Sequence, residues 1–262
     1  MASSAAAQIV GGADQWVYEL PENPPQLEAA ARREIADKIW KRWFGKFRPA
    51  RPSRQPLALI FLGATGAGKT TIATKWAARE GVPYVDADSI TELSPDFVAL
   101  RDVRDINGKP TGALNAHRER QIAFQLAEPI QDALTRAWTK RYDIAMQWGL
   151  GDNLASLGSF VADDYRLVVV WVATAGVVAG KRSWMRAVRT GRFYDPDEQS
   201  AAARAQEMQE NIRLAAPLLA RAADEFYVLP PGKNALDAAV RVLSGESTAA
   251  AAAAVAVALG DQ

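Results

Sequence analysis

Residues 63–70 read Gly63-Ala64-Thr65-Gly66-Ala67-Gly68-Lys69-Thr70, a complete GxxxxGK[ST] pattern. Its chemistry is the capture of phosphate. The glycines let backbone N–H groups turn inward and converge on an anion, and a helix opening at the loop adds the positive end of its dipole. Lys69 supplies a cation for the β and γ oxygens of a triphosphate, the Thr70 hydroxyl is a ligand for Mg²⁺, and Thr71 continues the cradle into the helix. The pattern needs a strand before it and a helix after it. Both are predicted: LALIFLG at 57–63 is a short apolar run that suits a strand buried on both faces, and 68–80 is helical. Together they point to a site for a nucleoside triphosphate.

About twenty residues further on comes Val85-Asp86-Ala87-Asp88-Ser89. Alternation in a strand sends Asp86 and Asp88 to the same side, at the carboxyl end of a parallel strand, where doubly wound sheets hold their ligands. One carboxylate can serve Mg²⁺ or its waters and contact substrate while the other accepts a substrate proton, and Asp86 is a candidate for the metal side. Asp88 also suits a helix N-cap. A third group lies in AGKRSWMRAVRTGRFYDPDE, where Arg182, Arg186 and Arg189 stand at i, i+4 and i+7 and share one helix face. Arg192 follows Gly191, and no acid lies between Gly180 and Tyr194. A polyanion relieves that repulsion, and arginines near a transferring phosphoryl group stabilise its charge. Motor ATPases and GTPases usually close an apolar strand on Asp, but LVVVWVATA ends in Ala and Thr, and no NKxD-like guanine reader occurs.

The composition agrees with this toolkit. The 262 residues include one His and no Cys, which excludes disulfides, thiolate nucleophiles and Cys-ligated zinc. Lys and Arg number 31 against 30 Asp and Glu, and the net charge of +1 weighs against wholesale binding of nucleic acid. No window of some 18 apolar residues suggests a membrane span. The start has no basic region ahead of an apolar core, so cytoplasmic residence is expected.

The elements that must position these groups alternate. Strands are predicted at 57–63, 83–88, 142–148, 166–174 and 225–229, with helices at 68–80, 116–140, 176–190 and 198–223. The expected fold is α/β, a P-loop NTPase-type doubly wound parallel sheet of about five strands flanked by helices. We expect three segments: an extension over 1–54 with a helix from about Gln26 to Phe47, a catalytic domain over 55–243, and an Ala-rich tail over 244–262. From Arg32 to Arg54 nine basic residues meet two acidic ones, which reads as a solvated helix face and basic linker, or as a patch for phosphate-rich surfaces.

The GATGAGKT loop together with VDADSITELSPDFVAL resembles the zeta toxin group of P-loop kinases, whose second strand runs into a D-x-D-[ST] turn followed by a Pro and an aromatic, here Pro95 and Phe97. The resemblance spans roughly residues 55–230. It implies ATP and Mg²⁺ as cofactors, Asp88 as general base, Lys69 and Thr70 in their loop roles, and two lid arginines, placed at Arg186 and Arg192 with Arg182 or Arg189 as substitutes in register. It further implies phosphorylation of a hydroxyl of UDP-N-acetylglucosamine or a related amino-sugar nucleotide, and a small helical antitoxin as partner. Family members commonly end the third strand in a Glu that touches the sugar nucleotide; here Gln147 stands there, with Trp148 beside it. Arg118 and Arg120 are candidates to receive an anionic substrate, with a solvated helix face as the alternative, and the lone His117 reads as a surface residue. Two other readings stay open: the same fold acting on a dinucleotide, nucleoside, antibiotic or RNA end, and a nucleotide-binding module without transfer.

Overall fold

The computed structural model describes residues 28–86, 89–90, 93, 126–147, 164–190, 195, 197–231 and 239–242, with the backbone of 9–10 and 17–18. It divides into two compact units. The first comprises Met1–Gly45, Asp86–Thr139 and Ser183–Ala201, and the second Lys46–Val85, Lys140–Arg182 and Ala202–Gln262.

In the first unit, β1 (Ile9–Val10) and β2 (Val17–Tyr18) form an antiparallel pair. Helix α1 (Ala29–Phe44) packs against α3 (Ala127–Thr139). It buries Ile39, Trp43 and Phe44 and sets Arg32 against the acids of α3. Arg32 grips Asp132 with two parallel bonds of 2.6 and 2.7 Å and reaches Glu128 at 2.7 Å. The Arg32 guanidinium holds the Asp132 carboxyl below its ordinary range, chiefly by hydrogen bonding. Arg136 returns the contact, bonding Asp37 at 3.0 Å and stacking 4.2 Å from the Trp40 ring. Part of the basic N-terminal run is thus neither merely solvated nor a bare anion patch: Arg32 is consumed in joining two helices.

The second unit holds the sheet. Strands β3 (Leu57–Leu62), β4 (Tyr84–Val85), β5 (Ile144–Gln147), β6 (Arg166–Val172), β7 (Glu225–Leu229) and β8 (Val240–Val242) stand in the order β4-β5-β3-β6-β7-β8. All pairs are parallel except β7–β8. The doubly wound α/β architecture read from sequence is therefore present, enlarged by an antiparallel edge strand. The chain leaves β3 toward β5 and β4, then crosses to β6 on the other side, so the crevice at the carboxyl ends of β3 and β6 is the topological switch point.

Helix α2 (Lys69–Glu80) covers one face of the sheet. Leu57, Leu59 and Phe61 of β3 meet Ile72, Trp76 and Ala77 of α2 and Val168, Val170 and Val172 of β6 in one core. Phe61 and Trp76 pack edge-on at 5.9 Å, an arrangement that adds about 1 kcal/mol to simple burial. Trp171, of opposite parity, turns to the other face and donates its indole N–H to Gln209 at 2.7 Å, within helix α5 (Glu198–Ala222). Helix α4 (Gly176–Thr190) follows β6.

Two sequence expectations need correction. The second strand ends at Val85, so Asp86 lies beyond it, and the Asp86 carbonyl accepts the Ser89 amide at 3.1 Å and its hydroxyl at 2.7 Å. Strand alternation therefore does not reach Asp86, and Asp88 lies outside the described residues. The third strand starts at Ile144, two residues later than expected, and Asp143 just before it accepts the Leu57 amide at 2.7 Å with its side chain.

Candidate functional site

Parallel pairing of β3 with β5 and β6 brings three carboxyl ends together, and the loop 63–68 leaves β3 at that edge. Gly63, at φ +145°, is demanded by the fold: a Cβ there would lie 2.8 Å from the Val172 carbonyl of β6. Gly68, at φ +96°, begins α2 in the left-handed region. Ala67 N donates to Ala64 O at 3.0 Å, and Thr71 N to Gly68 O at 3.1 Å, winding the loop into the helix. Among the described residues no side chain caps the start of α2, and its first turn carries no acid. The start of α2 therefore turns the positive end of the helix dipole to the loop, which is what an anion site requires.

Lys69 bends back along the loop and donates to Gly63 O at 2.6 Å and Ala64 O at 3.0 Å. The Thr174 hydroxyl, just past β6, donates to Ala67 O at 3.3 Å and ties the loop to the switch point. Gln147, last in β5 and opposite Phe61 in register, donates its amide to Thr70 Oγ1 at 3.0 Å and hydrogen-bonds to the Tyr84 hydroxyl.

The loop residues expected from sequence, Gly63 to Thr71, thus stand together with Gln147. Sequence reading missed Thr174 and Tyr84, whose signals were a polar residue after an apolar strand and an aromatic at a strand's start. Arg182, Arg186 and Arg189 lie on α4 within about 60° of arc at 100° per residue. Arg182 and Arg189 are exposed, and Arg186 is half-buried next to the helix's buried stripe of Ala179, Ser183 and Ala187. Asp86 is half-buried after β4. Asp88, Arg118, Arg192, His117 and Trp148 lie outside the described residues.

A groove of about 490 Å³, lined among others by Arg54, Glu80, Asp143 and Arg166, sits at the amino ends of the strands. Doubly wound sheets bind ligands at the opposite edge, and Arg54 and Asp143 pair with each other in the groove. The loop edge is therefore the candidate site. Its donor set fits a nucleotide: amide donors and an ammonium for phosphate, and one hydroxyl for a divalent ion whose other ligands are phosphate oxygens and water.

A phosphate loop at the switch point of a mostly parallel, six-stranded sheet defines a P-loop protein of the kinase-like α/β kind. Residues 41–222 match the zeta toxin family, and the chain belongs to it. A chain from the PezAT chromosomal toxin–antitoxin system of Streptococcus pneumoniae shares the fold, with a TM-score of 0.59 at 14% identity over 90% of each chain. A candidate kinase from Chloroflexus aurantiacus gives a TM-score of 0.44 at 14% identity, over 59% of this chain and 80% of that one. Among the described residues, no helix is long and apolar enough to cross a membrane.

Proposed function

We propose that the chain is an ATP- and Mg²⁺-dependent small-molecule kinase acting as a toxin, with a nucleotide sugar such as UDP-N-acetylglucosamine as acceptor. The observation that carries this reading is the assembled phosphate loop, with the start of α2 at the loop, Lys69 spanning it and Thr70 at its end, in a chain of the zeta toxin family.

In this reading the triphosphate lies on the loop amides, and Lys69 exchanges its two carbonyl partners for β and γ oxygens. Thr70 would hold Mg²⁺, with Asp86 as the second candidate, and the ion would offset negative charge between those oxygens. Asp88 aligns the acceptor hydroxyl and takes its proton as the new P–O bond forms and the bond to the β-bridging oxygen breaks, releasing ADP. Arg186 and Arg192, with Arg182 and Arg189 on the same stretch, stabilise the charge of the transferring group and hold anionic substrate. Arg118 is assigned to the acceptor's phosphates. A small helical antitoxin is the proposed partner and the cytoplasm the proposed location. The domain limits proposed are 1–54, 55–243 and 244–262.

Transfer of label from γ-labelled ATP to a panel of nucleotide sugars tests this. Mg²⁺-dependent labelling that disappears in Asp88→Asn supports it, and no labelling of any nucleotide sugar contradicts the acceptor assignment. The same fold acting on another acceptor, a nucleoside, a dinucleotide or an RNA end, is the alternative. Labelling confined to nucleosides, dinucleotides or RNA ends would establish that alternative.

A further inference from the structure

Gln147 stands where the family resemblance places an acceptor-binding group, yet its polar contacts run elsewhere. Its amide nitrogen has two hydrogens. One goes to Thr70 Oγ1 at 3.0 Å and the other to the Tyr84 hydroxyl. The placement is set by the sheet, since β5 pairs with β3 so that Gln147 lies opposite Phe61, two residues ahead of Gly63, while Tyr84 comes from the next strand over. The Gln147 amide of β5 thus bridges the Tyr84 hydroxyl of β4 and the Thr70 hydroxyl of α2.

A hydroxyl oxygen has two lone pairs and one hydrogen. Because the Gln147 amide donates to it, one lone pair of Thr70 Oγ1 is taken, its own hydrogen is turned away from Gln147, and a single lone pair is left for a cation. We infer that Gln147 is a positioning residue for the metal side of the nucleotide site, orienting the Thr70 hydroxyl, and is not an acceptor-binding residue. The inference rests on the nucleotide-site reading above. Because the amide is neutral, it orients the ligand without adding negative charge, so that the divalent ion comes with the triphosphate.

The test is equilibrium binding of a fluorescent ATP analogue to the full chain, in saturating Mg²⁺ and in EDTA. The quantity read is the Mg²⁺ gain, the Kd in EDTA divided by the Kd in Mg²⁺. Gln147→Leu removes the donor and should lower the gain about three- to tenfold while binding in EDTA stays within about twofold, an effect the size of one hydrogen bond. Gln147→Glu puts a carboxylate beside Thr70, so repulsion weakens binding in EDTA, attraction strengthens it in Mg²⁺, and the gain should rise roughly tenfold. Gln147→Glu keeps the side-chain shape, so it carries the test alone if the leucine variant does not fold.

A gain unchanged in the folded variants overturns the inference, as does a loss of equal size in EDTA and in Mg²⁺, which would mark a merely structural role. An unchanged gain accompanied by a raised KM for the acceptor would return Gln147 to acceptor binding. If the wild-type chain binds no nucleotide, the nucleotide-site reading fails and this inference fails with it. A wild-type Mg²⁺ response that both variants leave intact defeats this inference alone.

Discussion

Gly63→Ala is the substitution whose cost the structure defines most narrowly. A Cβ at this position would lie 2.8 Å from the Val172 carbonyl oxygen, inside the 3.0 Å that real Cβ atoms respect, and 3.4 Å from Ala67 Cβ and Lys69 Cγ. Val172 cannot easily retreat. It is in register with Leu229 of β7, the next amide, Ala173 N, donates to Leu229 O at 3.0 Å, and Val172 O itself accepts Gln209 Nε2 at 3.4 Å. The loop must therefore yield instead. A non-glycine residue at φ +145° costs about 1–3 kcal/mol, and forcing one extra carbon against fixed backbone adds about 1–3 kcal/mol. We expect a loss near 3 kcal/mol and a melting point lower by roughly 6–12 °C for a domain of this size. Gly68→Ala is the control. Its φ is also left-handed, at +96°, but nothing lies within 4 Å of a Cβ there, so only the conformational cost of about 1 kcal/mol remains. Calorimetry compares the position that carries the clash with one that does not. Gly63→Ala no more destabilising than Gly68→Ala would refute the argument that loop and β6 are in forced contact.

Gln209→Leu leaves the buried Trp171 indole N–H without its acceptor and should cost about 1–3 kcal/mol, read as a shift of the urea midpoint at unchanged slope. An acid titration of stability tests Glu225. Burial pushes its pKa up, but hydrogen bonds from Tyr227 and Arg166 and the charge of Arg241 outweigh this and hold it below the ordinary value of about 4.5. A lowered folded pKa means that the carboxylate's contribution is complete above about pH 4.5 and fades as pH falls through the folded value. The stability gap between wild type and Glu225→Gln should therefore be widest near neutrality and shrink below that pH; a gap independent of pH would refute it.

What sequence could convey followed the range of the interactions. The phosphate loop, β3, α2 and β7 are local objects: an apolar run, a glycine pattern and a 3.6-residue period fix them within a residue or so. Strand β8 has only three residues and β1 and β2 two each, too few for alternation to show. Gln147 was legible as a residue at the strand end, but its bond to Thr70 spans 77 positions and exists only through the register of β3 with β5. Arg32 was legible as one charge in a basic run. Its partner Asp132 lies 100 residues away, so the run's helix-joining role appears only when α1 meets α3. Asp86 misled for the opposite reason, since the strand pattern was extended to residue 88 while the strand ends at Val85.

Every role proposed for this chain depends on the loop from Gly63 to Thr71 holding a nucleotide. Equilibrium binding of ATP in the presence of Mg²⁺ to the wild-type chain and to Lys69→Ala tests it most directly. Losing a cation's hydrogen bonds to phosphate should weaken binding about tenfold to a hundredfold, with the fold retained. Equal affinity of the two proteins, or no binding by the wild type, would contradict the claim.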